Sequence, residues 1–224
     1  MKKFFTLIAA VAMAASVNAQ TTSTEWNFSD WEAKEYTETF VKDGLTLVVG
    51  SDSKGKLGSF TVDESKKTID NVKYTQRLKT GGKGDFDKDG NPLLRVLEFK
   101  VSGPSDIYVV AATSNKTDPK VLTIDVLETG AENATNVGTI NYAANEQKAE
   151  TVRYTGAGGV IYMYPDGGLN YYDIKVTPST STGITSIEAS ASAKSTATYN
   201  LAGQQVSDSY KGIVIQNGKK FLKK

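Results

Sequence analysis

The chain has 224 residues and contains neither cysteine nor histidine. Without cysteine there can be no disulfide framework, so packing alone must hold the fold together, and thiolate chemistry is excluded. Without histidine, Ser-His-Asp and Cys-His triads cannot be assembled, nor can a histidine-containing zinc site. A metal ion bound here would need oxygen ligands, which points to Ca²⁺. Long apolar runs are also missing. Residues 4–15 form one apolar stretch, too short to span a bilayer, and no later segment approaches the roughly 18 residues a transmembrane helix needs. No long amphipathic helix and no repeat of the period of a parallel β-helix is present.

Several features at the two ends address export. Lys2 and Lys3 precede the apolar run, and Val17-Asn18-Ala19 places small residues at the −3 and −1 positions of a signal-peptidase site. Residues 1–19 are therefore expected to be a signal peptide, with Gln20 as the first mature residue. No cysteine follows that could carry a lipid anchor. Residues 179–182 read as a Ser/Thr linker. Residues 183–224 then run through Gly183-Ile184-Thr185-Ser186-Ile187, an Ala/Ser spacer, Tyr199-Asn200-Leu201-x-Gly203-Gln204 and Gly212-Ile213-Val214-Ile215. Asn217-Gly218, set between Val214-Ile215 and Phe221-Leu222, is a two-residue hairpin signal.

Charge separates the tail from the body. The tail carries six lysines against Glu188 and Asp208, whereas residues 20–182 hold 18 basic and 23 acidic side chains, a net of −5. That balance, with no basic stripe interleaved with aromatics, argues against nucleic-acid binding. About 163 residues suffice for one domain with a sizeable core.

The body reads as all-β. Short runs rich in Val, Ile, Tyr and Thr recur between turn signals, with strands expected near 25–28, 45–50, 58–62, 74–79, 94–102, 106–113, 120–127, 137–141, 150–154, 160–164 and 171–177. Turn chemistry lies at Asp43-Gly44, Gly81-Gly82, Gly103-Pro104, Gly158-Gly159 and Asp166-Gly167-Gly168. Residues 30–36 could form a helical turn capped by Ser29 or Asp30. Eleven short strands favour a two-sheet jelly-roll β-sandwich over residues 20–178 rather than a seven-stranded immunoglobulin fold. Alternation puts Leu97, Phe99 and Val101 on the core face with Arg95 in phase, and likewise Leu122, Ile124 and Val126. It puts Tyr172, Ile174 and Val176 inward, with Tyr171, Asp173 and Lys175 outward. Arg77 and Lys79, with Lys73, give one strand a basic face, and Trp26 and Trp31 read as core or staple residues.

Two resemblances accompany this reading. Residues 183–224 closely resemble the short C-terminal sorting domain of proteins exported by the type IX secretion system of Bacteroidota, which implies a small β-structured tail recognised by that machinery. Trp26-Asn27-Phe28-Ser29, Tyr74-Thr75-Gln76-Arg77-Leu78-Lys79, Arg95-Val96-Leu97-Glu98-Phe99-Lys100-Val101-Ser102-Gly103-Pro104, Gly158-Gly159-Val160-Ile161-Tyr162 and Leu169-Asn170-Tyr171-Tyr172-Asp173-Ile174-Lys175-Val176 resemble the β-sandwich modules that Bacteroidota append to pectate lyases and other polysaccharide-degrading enzymes. Those modules look like jelly-roll carbohydrate-binding modules. The resemblance implies an exported, non-catalytic polysaccharide-binding protein.

Three groups are candidate sites. Arg77, Lys79 and Arg95 could meet glycan hydroxyls or carboxylates, with Gly81-Gly82 allowing close approach; a solvated strand face or a structural ion pair is the alternative. Tyr162, Tyr164, Tyr171 and Tyr172 could stack on sugar rings, although alternation must send some of them into the core. Asp85-x-Asp87-x-Asp89-Gly90-Asn91 repeats the first half of a Ca²⁺ loop, but Val96 stands where the bidentate glutamate belongs, so a charged hairpin is the alternative. A Ca²⁺-dependent lyase would need Arg77 or Lys79 as base beside the Asp85 cluster. A structural or adhesive surface protein that contacts other proteins is the competing function.

Overall fold

A computed structural model describes residues 22–52, 54–179, 198–200, 204–207, 210–216 and 219–223. The signal peptide and most of the linker expected from the sequence lie outside these residues. The chain divides into two compact units, Met1–Ser181 and Thr182–Lys224. Among the described residues no helix is long and apolar enough to cross a membrane.

The first unit is built from β1 (Thr24–Asn27), β2 (Glu35–Tyr36), β3 (Phe40–Lys42), β4 (Leu45–Val48), β5 (Phe60–Ile69), β6 (Val72–Lys79), β7 (Asp85–Phe86), β8 (Pro92–Leu94), β9 (Val96–Val101), β10 (Ser105–Thr113), β11 (Lys120–Glu128), β12 (Thr135–Tyr142), β13 (Gln147–Tyr154), β14 (Gly159–Pro165) and β15 (Leu169–Pro178). A seven-stranded sheet runs β13-β10-β15-β6-β5-β2, with β1 also paired to β15; a six-stranded sheet runs β12-β11-β14-β9-β4-β3. From β9 to β15 the chain crosses between the sheets at every connection except β11–β12. This is the two-sheet β-sandwich of the jelly-roll kind that the strand spacing leads one to expect.

Alternation explains the core. Leu122, Ile124 and Val126 from β11, Leu97, Phe99 and Val101 from β9, Ile107 and Val109 from β10, and Ile161 and Met163 from β14 meet in one buried cluster with Trp26, Phe28 and Trp31. Trp26 also satisfies its indole N–H on the Asp43 carbonyl at 3.0 Å. A second, smaller cluster joins Ile69, Tyr74, Val110, Ala112 and Tyr172. Val110 and Ala112 alternate with core residues Val109 and Ala111, so this cluster lies on the other face of the seven-stranded sheet.

Four local details differ from the sequence expectation. Residues 30–36 form no helical turn of that extent. A 3₁₀ turn occupies Phe28–Asp30 with Asn27 as its cap, and Glu35 and Tyr36 belong to β2. The strand expected at 58–62 begins at Phe60 and continues to Ile69. It closes onto β6 through Asp70 and Asn71, both at positive φ (48° and 65°), a glycine-free version of a tight hairpin turn. The run 94–102 is split because Arg95 sits at φ 54°, which separates β8 from β9. Finally, Tyr171 faces the sandwich core, and Tyr172 is buried instead in the smaller cluster on the other face of the sheet. Ala111 pairs with Tyr171 while Val110 pairs with Asp173, so Tyr172 is the extra residue of a β-bulge and the inward phase changes there.

The second unit contains a four-stranded sheet. β16 (Thr198–Asn200), β17 (Gln205–Val206), β18 (Gly212–Gln216) and β19 (Lys219–Lys223) lie in the order β17-β16-β18-β19. Gln216 pairs with Lys219 in an antiparallel ladder, as the hairpin expected at Asn217-Gly218 requires, while those two residues themselves lie outside the described ones.

Candidate functional site

The outward positions of the six-stranded sheet supply the floor of a groove. In β11 and β14, Asp125 is opposite Tyr162 and Thr123 opposite Tyr164, while Tyr162 is opposite Glu98 of β9. Since Ile124, Ile161 and Met163 point into the core, Asp125, Tyr162 and Tyr164 must project from the other face. The β7–β8 hairpin then folds over them. Its Phe86 meets Tyr164 edge-on at 4.7 Å between ring centroids and Tyr162 at 6.0 Å. Asp89, Gly90 and Asn91 at the hairpin tip form one wall, and Leu127, Glu132, Asn133 and Ala134 complete the lining. The groove has a volume of about 270 Å³.

Internal hydrogen bonds fix this geometry. Tyr164 Oη donates to Asp125 Oδ2 at 2.6 Å, and Asn136 Nδ2 donates to Asp125 Oδ1 at 2.8 Å. The Asn136 contact uses a register shift between Ile124 and Asp125 in the β11–β12 ladder. Burial, aided by the Asp125 bond, pushes the Tyr164 hydroxyl well above its ordinary range; burial and then the Glu98 charge raise that of Tyr162. Both therefore stay neutral donors and acceptors at physiological pH. Burial also raises the Glu98 carboxyl beneath Tyr162. Gly84 permits the hairpin to sit so close: a Cβ there would lie 2.6 Å from Tyr164 Cβ and 3.1 Å from the Arg95 carbonyl.

Asp85, Asp87 and Asp89 do not converge. Asp87 turns back on its own hairpin, accepting from the Asp89 and Asn91 amides at 2.9 and 2.8 Å and from Asn91 Nδ2 at 2.9 Å. The Asn91 bonds, side chain first, hold its carboxyl below the usual range. Asp89 reaches the groove wall and pairs with exposed Lys88. Among the described residues no three carboxylates gather as a metal site would require. The Asp-x-Asp-x-Asp-Gly-Asn pattern is read by this structure as a capped turn.

The predicted basic residues fall elsewhere. Arg77 and Lys79 lie in the seven-stranded sheet, both on Asp63: Arg77 Nε donates to Oδ1 at 2.8 Å and Lys79 Nζ to Oδ2 at 3.1 Å. The Asp63 bond raises the Arg77 guanidinium further above neutrality. Arg95 is not a free ligand arm. Its Nη1 donates to the Lys83 carbonyl at 3.4 Å, and its Cζ lies 3.3 Å from where a Cβ would stand on Gly58 or Gly82. Of the Gly81-Gly82 pair expected to admit a ligand, Gly82 makes room for Arg95 instead. Tyr171 is fully buried among core residues, so its assignment to ligand binding is corrected by the bulge described above. Of the sequence candidates, Tyr162, Tyr164 and Asp89 are brought together; Phe86, Asp125 and Glu132 join them unanticipated. Phe86 lies within the acidic run and was masked by it. Asp125 was visible as an outward residue of β11.

No protein-family model matches this chain, and no curated protein does. Solved structures with a similar fold include the K2 cleaved adhesin domain of Lys-gingipain, at 14% identity over 70% of this chain and 98% of that one, with a TM-score of 0.44. The CBM36-1 domain of a multidomain xylanase from the hindgut metagenome of Trinervitermes trinervoides matches at 12% identity over 71% and 99%, with a TM-score of 0.35. The C-terminal CBM6 of LamC from Zobellia galactanivorans matches at 13% identity over 70% and 99%, with a TM-score of 0.28.

Proposed function

We propose that this protein is a non-catalytic glycan-binding module and that the groove over β11 and β14 is where the glycan binds. The observation that carries this reading is the pairing of an aromatic surface with fixed hydrogen-bond acceptors. Phe86, Tyr162 and Tyr164 offer apolar faces and edges to a sugar's C–H surface, while Asp125 and the Tyr164 hydroxyl are held in place to receive hydroxyl donors. The lyase alternative finds no support in the geometry. Arg77 and Lys79 are committed to Asp63 on one sheet, and Asp85 stands in a hairpin packed against the other.

The test is a polysaccharide array with the full chain, followed by calorimetry on any hit. Tyr164→Ala and Phe86→Ala should each weaken binding by about tenfold or more, in line with about 1–3 kcal/mol for a lost aromatic contact. Circular dichroism must show both variants folded. Unchanged affinity in folded variants would remove the groove from consideration.

Residues 183–224 are the export signal in this reading. Its support is the sequence pattern of the tail and the compactness of the unit Thr182–Lys224. The protein is then delivered to the outer surface or the medium through the type IX machinery. Deleting 183–224 should leave the protein in the periplasm of a host that has that machinery. Surface delivery of the truncated chain at the parental level would refute the assignment.

A further inference from the structure

We infer that the groove prefers glycans bearing free amino groups and discriminates against uronates and sulfated sugars. This rests on the reading of the groove as the glycan site. Apart from the tyrosines, the ionisable side chains lining it are Asp89, Asp125 and Glu132, and no lysine or arginine is among the described residues that do so. Asp125 takes one internal bond on each carboxylate oxygen, from Asn136 and Tyr164, and each oxygen has room for one more donor. Glu132 has no partner among the described residues. Among the described residues Lys88 is the one cation paired with a lining residue; it holds Asp89 at 2.7 Å, but its side chain is 86% exposed, and so exposed a pair contributes little.

Two consequences follow for the ligand. A protonated amine in the groove would form charge-assisted bonds to these carboxylates and sit against tyrosine and phenylalanine rings, both of which favour cations. A uronate would meet three acids of its own sign with no lysine or arginine among the described lining residues to offset them. The cations that could have received it, Arg77 and Lys79, are on the other sheet and share Asp63. The body's net charge of −5 acts in the same direction over longer range.

The experiment is calorimetry of the full chain at pH 5.5 with four oligosaccharides of equal length: β-1,4-linked glucosamine, N-acetylglucosamine and glucose, and a uronate oligomer. The glucosamine oligomer should bind about tenfold tighter than the neutral two, the sum of a few exposed charge contacts. The uronate should bind weakest. The spread should shrink in 0.5 M NaCl, as screening requires, and in the double variant Asp89→Asn/Glu132→Gln. Uronate binding as tight as glucosamine binding, or a preference undiminished in the double variant, would overturn the inference while leaving the groove as a glycan site. Failure of all four, from a chain shown to be folded, would count against the groove reading itself.

Discussion

Asp173→Asn should stabilise the protein by about 2–4 kcal/mol at pH 8 and leave it almost unchanged at pH 3.5. Asp173 is 6% exposed, its Oδ1 has no hydrogen-bond partner, and its carboxyl is raised from 3.8 to about 7. Burial is the main cause, followed by the negative charge of Glu25 on the neighbouring strand β1. The Ile174 amide and Lys175 pull the other way, and Glu25 itself reaches Lys175 only at 3.7 Å. Tyr74 and Tyr108, facing the same acid, are in turn raised by burial first and then by the charge of Asp173.

The sign is fixed by linkage. Below pH 3.8 Asp173 is protonated folded or unfolded and contributes no slope. Between 3.8 and about 7 the folded chain keeps a proton that the unfolded chain releases, so stability falls as pH rises. Above about 7 the loss is complete. Moving a carboxyl from 3.8 to about 7 corresponds to about 4 kcal/mol as a ceiling. Asparagine cannot titrate and brings no charge near Glu25. Urea titrations of parent and variant from pH 3.5 to 8 measure this directly. A variant that retains the parent's slope across that window would show that another group is responsible. Glu25→Gln should recover only part of the gain, since it relieves the smaller cause.

The contrast between legible and illegible parts of this chain has a physical basis. Strands such as 106–113 and 120–127 could be placed because Ile107, Val109, Leu122 and Ile124 each occupy every second position facing one core, and the sandwich follows from that period. What escaped depended on events across strands. The bulge at Tyr172 is set by pairing with Val110 and Ala111, sixty residues away, and no local pattern records it. The same holds for Arg95, whose positive φ is supported by a bond from its amide to the Val48 carbonyl at 2.8 Å. Tyr162 and Tyr164 were candidates as aromatics able to stack on a sugar, and the folded strand turns them outward beside the core residues Ile161 and Met163. Their acidic partners come from β11 and from two loops, and only the folded chain assembles them. The Asp85–Asp89 run was legible as charge but not as use, since three acids at alternate positions serve a Ca²⁺ loop or a capped turn equally well until the backbone is known.

Gly84→Val tests whether the hairpin or the sheet makes the groove. The glycine amide donates to the Pro165 carbonyl at 2.9 Å, which lays β7 and β8 against the end of β14. A side chain at 84 would have to displace Tyr164 Cβ, 2.6 Å away, and the Arg95 backbone, which cannot yield as a flexible side chain does. Overpacking of this kind costs about 1–3 kcal/mol. The cheapest relief is to lift the hairpin, because β7 and β8 pair only with each other and belong to neither large sheet. Phe86 then leaves Tyr164, and the wall formed by Asp89, Gly90 and Asn91 goes with it. The sandwich should keep its cooperative unfolding with a midpoint a few degrees lower, while glycan affinity should fall at least as far as in Phe86→Ala. Parental affinity in a folded Gly84→Val protein would mean that the sheet face alone binds, with the hairpin as a bystander. Loss of binding with the sandwich intact would place recognition in the clamp between an edge hairpin and two outward tyrosines.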